Sequence, residues 1–362
     1  MNIAIDVSQM CYEGTGVARY VRGLTQALLA HDSSHHFILF AGALRQRSFF
    51  TKLAVTHPWN KAEWKIVPLP PKLAGLALNF LPIPFELLTG SADLIHASDW
   101  SEPSAQAPMV TTVHDLVFRK YPETVDPLIL KTQRKRLARI VKNQTHIIAD
   151  SLSTKNDLVK IYNLPKSRIT VIYPGIDARY TPQSKKEIDR VKHKYHLPEK
   201  YYLSLGTQEP RKNLVRLVVA CQTLEYPLVL TGKQGWGQQV KEQDHILSLG
   251  YVDEADLPGL YSGATVFIYP SLYEGFGFPV AEAMACGTPV VTSEISSLPE
   301  VGGSASVLVD PTNIESIRDG IIRAEKEQEK RRQAGLQQSK KFTWEKTAKQ
   351  VLEVYEKITH RN

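Results

Sequence analysis

Short apolar runs alternate with longer helix-patterned stretches, and the alternation runs through the chain twice. Asn2–Val7 reads as a buried strand, and Val17–Leu29 follows with helical spacing at Val17, Val21, Leu24 and Leu28. His36–Phe40, Leu94–His96, Met109–Val113, His146–Ala149 and Ile169–Tyr173 continue the strand series. Tyr201–Gly206, Pro227–Thr231, Ile246–Leu249, Thr265–Tyr269, Pro289–Thr292 and Ala305–Val309 form a second one. Strands separated by helices predict parallel, doubly wound sheets, because parallel neighbours need a crossover. A Pro-containing, charged stretch, 174–200, lies between the series. The predicted class is α/β, with two Rossmann-like doubly wound domains facing a cleft, residues 1–178 and 179–342. Residues 343–362 are a C-terminal helix, spaced at Trp344, Val351, Val354, Tyr355 and Ile358, that is able to pack anywhere, the first domain included. Ligands of such sheets bind beyond the carboxyl ends of the strands, so the residues just after each strand are the ones to inspect.

Composition removes several classes. The chain has 362 residues, 43% hydrophobic and 22% charged, ordinary for a globular protein and long enough for two cores. Cys11, Cys221 and Cys286 are far apart and odd in number, which argues against a disulfide framework or a zinc site and fits a reducing compartment. The opening MNIAIDVSQM predicts no signal peptide, and the apolar stretch 73–85 is too short to span a bilayer. Net charge is 44 − 37 = +7, and residues 1–178 hold +6 of it, with 20 Lys+Arg against 14 Asp+Glu. That half suits an anionic substrate or a lipid surface, or is simply well solvated. The basic-aromatic segment Leu44–Leu88, with Arg45, Arg47, Lys52, Lys61, Lys65 and Lys72 among Phe49, Phe50, Trp59, Trp64 and Phe80, reads as an excursion packing its own aromatics or as a membrane-surface segment.

Four strand ends carry candidate chemistry. Tyr273-Glu274-Gly275-Phe276-Gly277-Phe278-Pro279-Val280-Ala281-Glu282 follows a strand and opens a helix, with Pro279 near its start and Gly287 past its end. Gly275 and Gly277 let backbone N–H groups approach a ligand, and the helix start favours an anion or an oxygen-rich sugar. Glu274 and Glu282 bracket this turn, and each carboxylate can accept from two hydroxyls at once. After strand 201–206, Pro210-Arg211-Lys212-Asn213 places Arg211 and Lys212 at a helix start suited to a diphosphate, with Asn213 as N-cap. Gly14-Thr15-Gly16-Val17-Ala18-Arg19 resembles a dinucleotide fingerprint, but Arg19 occupies the place of its third glycine. His114-Asp115 ends strand 109–113, where a His can bond a substrate hydroxyl or be a satisfied core residue. His96 is a weaker candidate, and Ser151 reads as a helix cap.

Together these motifs resemble the retaining glycosyltransferases of family 4. The resemblance rests on the pair Glu274 and Glu282 in Glu-Gly-Phe-Gly-Phe-Pro, on Glu-Ala-Met-Ala-Cys-Gly-Thr-Pro-Val-Val (282–291), Pro-Arg-Lys-Asn (210–213), Tyr-Pro-Gly-Ile-Asp (173–177) and Thr-Val-His-Asp (112–115), and it covers nearly the whole chain. Gly-Thr-Gly-Val-Ala-Arg-Tyr (14–20) and Ser-Ser-Leu-Pro-Glu (296–300) look most like the mannosyltransferase branch of bacterial surface-polysaccharide synthesis. The resemblance implies a GT-B fold, a nucleotide-sugar donor held mainly by the second domain, an acceptor held by the first, no obligatory metal or cofactor, and retention at the anomeric carbon. Carried over residue by residue, Glu282 holds the ribose. Glu274, Gly275 and the backbone of Phe276–Gly277 hold the transferred sugar, and Lys212 with Arg211 neutralises the diphosphate. Gly16 approaches the diphosphate, His114 contacts the sugar, and the base lies near Tyr251 and Val252. Thr207 stands after Gly206 where many relatives carry Arg, so one usual diphosphate cation is missing or supplied by Arg211.

The expected activity is front-face transfer of a hexose, with GDP-mannose the favoured donor, to a saccharide or lipid-linked saccharide. The expected place is the cytoplasm, with peripheral contact at the inner membrane face through the basic first domain. The alternatives are an NAD-dependent oxidoreductase, a non-catalytic nucleotide-sugar-binding partner subunit, and a phosphorylase or epimerase of the same fold. Nucleic-acid binding is not expected, because the basic residues form no recognisable reading module.

Overall fold

The computed structural model describes residues 1–12, 14–69, 78–79, 83–233, 235 and 245–360. They form two compact units: Met1–Gly175 with Thr343–Asn362, and Ile176–Phe342.

The first unit holds a seven-stranded sheet of β1 (Asn2–Asp6), β2 (His36–Gly42), β3 (Glu63–Val67), β4 (Leu94–Ala97), β5 (Met109–Val113), β6 (His146–Ala149) and β7 (Ile169–Val171). Its order is β3-β2-β1-β4-β5-β6-β7, and every pairing is parallel. The inner strands are short runs buried along almost their whole length, as expected where both faces of a sheet are covered. Helix Gly16–His31 starts at Thr15, whose side chain accepts from Ala18 N, and buries Tyr20, Val21, Leu24 and Leu28. Helix Pro127–Asn143 starts at Asp126, which accepts from Leu128 N and Ile129 N, with Pro127 at its first position. Ser151 caps helix Leu152–Tyr162 by accepting from Thr154 N at 3.0 Å, the role read from its sequence.

The basic-aromatic segment packs its own rings. Phe50 and Trp59 are buried, and Trp64 donates its indole N–H to Trp59 O at 3.0 Å. The segment also contributes β3 at the sheet edge, while Lys72 and Phe80 lie outside the described residues.

Helix Trp344–Thr359 belongs to this unit and lies along helix Gly16–His31. Two glycines admit it: a Cβ at Gly23 would stand 2.1 Å from the Trp344 ring, and one at Gly175 would stand 2.2 Å from Trp344 N. Tyr355 then reaches under the sheet to His96, hydroxyl to Nδ1 at 2.6 Å.

The second unit holds β8 (Tyr202–Leu205), β9 (Leu228–Thr231), β10 (Ile246–Gly250), β11 (Val266–Tyr269), β12 (Val290–Ser293) and β13 (Val307–Val309), all parallel, in the order β10-β9-β8-β11-β12-β13. Leu217, Val218 and Cys221 of helix Leu214–Cys221 and Ile317 and Ile321 of helix Ile314–Lys326 cover one face, against Leu230, Ile268 and Val291. Strand order reverses between β8 and β11, which opens a crevice at their carboxyl ends for the following loops to line.

Candidate functional site

Two loops meet at that switch point, 206–213 after β8 and 270–277 after β11. Leu272 N donates to Arg211 O at 2.8 Å, so their backbones are tied together. The tie places Glu274 beside Lys212 and Arg211. A single carboxylate oxygen, Oε1, receives Lys212 Nζ at 2.7 Å, Arg211 Nη1 at 2.8 Å, the Ser271 hydroxyl at 2.6 Å and the Tyr269 hydroxyl at 3.0 Å. Lys212 Nζ also bonds the Tyr269 hydroxyl, and Arg211 Nε is held by Glu209 Oε2 at 2.8 Å. Oε2 of Glu274 has no hydrogen-bond partner among the described residues.

Electrostatics follow from this crowding. Burial alone would push Glu274 upward, but Arg211, Lys212 and the bonds from Lys212 and Ser271 hold it down to about 2. Burial and then Arg211 lower Lys212, against the opposing pull of Glu274. Two cations, Arg211 and Lys212, thus stand against two carboxylates, Glu209 and Glu274.

The glycine turn is fixed from the next strand end. Ser296 Oγ donates to Glu274 O at 2.6 Å and accepts from Glu274 N at 3.0 Å, and Ser297 Oγ lies 2.9 Å from the carbonyls of both Glu274 and Phe276. Gly277 takes φ +103° at the start of helix Phe278–Ala285, and a Cβ there would stand 2.7 Å from Leu298 Cδ2. Sequence reasoning read 296–300 only as a family hint and missed its mechanical role. The signal available was a Ser-Ser pair just after a strand, where hydroxyls serve loop backbone.

Glu282 lies within the same helix and is buried, with Tyr261, which is not part of the Lys212–Glu274 cluster, donating its hydroxyl to Oε2 at 3.0 Å. Tyr251, after β10, is 57% exposed, with Lys233 Nζ 5.8 Å over its ring, whereas Val252 is buried. Asn213 corrects one expectation. It caps no helix: its backbone is left-handed at φ +60°, and its side-chain amide donates to Pro270 O at 3.1 Å and Pro311 O at 2.6 Å. A positive φ removes the extended backbone that an N-cap side chain needs. Asn213 instead ties the β8 loop to the loops after β11 and β13.

In the first unit Gly16 opens helix Gly16–His31 after β1, and His114 follows β5. His114 Nδ1 lies 2.7 Å from Asp150 Oδ2, and the ring packs edge-on to Tyr20 with centroids 4.7 Å apart. Burial would lower His114, but the charge and hydrogen bond of Asp150 outweigh it and raise it to about 9. His96 is a core residue: burial depresses it to about 3, and it sits between Tyr355 and Thr112 Oγ1, the latter at 2.9 Å.

Residues 14–180 match the Glycosyltransferase Family 4 model, and residues 185–342 match the model of the Glycosyl transferases group 1. The chain is 32% identical to O-antigen chain mannosyltransferase B of Escherichia coli, over 98% of this chain and 99% of that protein. Sucrose-phosphate synthase from Thermosynechococcus elongatus superposes with a TM-score of 0.76 at 21% identity, covering 100% of both chains. Anabaena HepE in complex with UDP and glucose gives 0.70 at 19% identity, over 99% of this chain and 100% of that one.

Proposed function

The chain belongs to the family 4 glycosyltransferases, with the GT-B fold, and on that premise we propose that it transfers mannose from GDP-mannose, with retention of anomeric configuration, to a saccharide or lipid-linked saccharide of a bacterial surface polysaccharide. One observation carries the reading. Glu274 is a buried carboxylate whose Oε1 is saturated by Lys212, Arg211, Ser271 and Tyr269, while Oε2 is left for a hydroxyl. A carboxylate held so firmly by one atom is suited to gripping a sugar with the other. Neither a hydride-transfer enzyme nor a silent binding partner calls for that arrangement beside two diphosphate-reach cations.

Glu274 Oε2 and the backbone of Gly275, Phe276 and Gly277 bind the sugar. Glu282 takes the ribose, exchanging its bond to Tyr261. Lys212 and Arg211 face the diphosphate, and Tyr251 and Val252 flank the base; in the first unit the resemblance assigns Gly16 to the diphosphate and His114 to the sugar. Transfer is a front-face substitution. The bond between the anomeric carbon and the diphosphate oxygen breaks, the acceptor oxygen bonds to that carbon on the same face, and the acceptor proton passes to the departing diphosphate. Lys212 and Arg211 stabilise the charge that develops on the leaving group. The reaction uses no resident cofactor or metal.

A screen of nucleotide-sugars with a lipid-linked saccharide acceptor, read by mass spectrometry and by NMR of the new linkage, tests this reading. One added hexose from GDP-mannose in the α configuration of the donor is the expected result. Binding of GDP-mannose with no transfer to any acceptor and no slow donor hydrolysis would make the chain a binding partner instead.

The same reading places the enzyme in the cytoplasm, at the inner membrane face. No helix among the described residues is long and apolar enough to cross a membrane. Helix Pro127–Asn143 exposes Leu128 and Ile129 in its first turn and Lys131 and Arg134 within the next two turns, a composition that suits an anionic lipid surface. Co-sedimentation with anionic liposomes at low salt, lost at high salt, is expected; absence of binding at both rejects membrane contact.

A further inference from the structure

We propose that Asp150 is a positioning residue for the transfer: its Oδ2 keeps a proton on His114 Nδ1 and fixes the ring, so that Nε2–H is the edge offered to the donor sugar. The proposal rests on the assignment of His114 to that sugar. Sheet register creates the pair, because Val113 of β5 lies opposite Ala149 of β6, and His114 and Asp150 are the residues that follow them. The 2.7 Å contact joins two strand ends 36 residues apart. Tyr20 fixes the ring from its edge, and Thr154 Oγ1 donates to His114 O at 3.2 Å, so both ring and backbone are held. Nε2 has no hydrogen-bond partner among the described residues, and the side chain keeps 13% exposure.

Asp150 is 2% exposed, and its second oxygen, Oδ1, is buried with no hydrogen-bond partner among the described residues. A half-satisfied buried carboxylate is destabilising, and an adjacent imidazolium is what makes it tolerable. Such a group at a strand's carboxyl end is accounted for by function better than by packing. Other groups around the ring support the cation. Asp99 and Asp115 add negative charge. Arg136 is fully buried and paired to Asp99 at 3.1 Å. His96 is neutral between Tyr355 and Thr112, and burial also keeps Tyr20 a neutral phenol. The pair His114–Asp150 carries no net charge, so it can donate to a sugar oxygen without opposing positive charge that builds on the reacting carbon.

The test combines NMR titration of the histidine rings with pH profiles of the full chain. The His114 signal, assigned by its loss in His114→Asn, titrates near 9 in the native protein, and kcat/KM stays level through neutral pH. Asp150→Asn moves the alkaline limb of kcat/KM down by more than one pH unit and lowers kcat at least ~10-fold, with a smaller change in KM for the donor; Asp150→Glu recovers part of the loss. A native His114 that titrates near the ordinary ~6.5 overturns the proposal, even if Asp150→Asn does not fold. So does an Asp150→Asn profile with an unmoved limb. Full activity in His114→Asn removes the assignment of His114 itself, and this proposal with it. An inactive His114→Asn beside an unshifted Asp150→Asn removes only the role of Asp150.

Discussion

At Lys212, burial and charge pull against each other. Desolvation and the nearby Arg211 lower its pKa, while Glu274 Oε1 at 2.7 Å pulls the other way. A cation held that way needs no reorganisation when a leaving group develops charge, and such groups are worth about 2.7–4 kcal/mol of barrier. Lys212→Ala therefore lowers kcat by two or more orders of magnitude while the circular dichroism spectrum stays native-like, with a lower melting temperature because buried Glu274 loses one of its cations. On the proposed assignment of Lys212 and Arg211 to the diphosphate, excess EDTA leaves the rate unchanged. Glu282 acts differently: Glu282→Ala weakens GDP binding in calorimetry more than it slows turnover, and unchanged donor affinity would count against the ribose assignment. Much of this was legible, because Lys212 and Glu274 follow strands and Glu282 lies in the helix after the second of them, in a spacing that chemistry explains. Three partners were not legible. Asp150 meets His114 across 36 residues, Ser296 meets Glu274 across 22, and Asn213 has a capping residue's chemistry with a backbone that forbids capping. Sequence order carries little information about contacts set by strand register or by a single positive φ.

Helix Trp344–Thr359 shows how one element depends on small residues far away. Trp344 fits only because Gly23 and Gly175 lack a Cβ, and Gly175 faces rigid backbone rather than a side chain that can turn. Gly175→Ala should loosen the helix and lower the melting temperature by several degrees, with faster amide exchange over 344–359. Tyr355→Phe removes a hydroxyl from buried His96 and should cost about 1–3 kcal/mol without changing the donor Kd. The same element scale explains which strands could be read. β4, β6, β11 and β12 are short apolar runs buried throughout, which announce themselves. β3, Glu-Trp-Lys-Ile-Val, alternates polar and apolar residues at an open sheet edge and keeps partial exposure, so its sequence looks like loop.

Over the whole molecule, each unit holds a charged pair whose contribution depends on pH in its own direction. His114 is raised to about 9, so its contribution to the first unit is complete below its ordinary value near 6.5 and is lost as pH rises through 9. Glu274 is lowered to about 2, so its contribution to the second unit is present above its ordinary value near 4.5 and is lost as pH falls through 2. Hydrogen exchange followed by unit should show alkali through pH 9 loosening residues 1–175 as His114 loses its proton, and acid below about 6.5 loosening the same unit again, because buried His96, depressed to about 3, resists protonation while the unfolded chain takes it up. GDP at about 100 times its Kd should protect 176–342 by about 2.7 kcal/mol. The route of the chain has a consequence of its own. A ribosome releases 1–175, then all of 176–342, and only afterwards the segment that slots Trp344 against Gly23 and Tyr355 beneath His96. The nascent first unit must therefore wait, unfinished, while the second is made, and a premature stop near codon 340 would damage the part of the protein synthesised first.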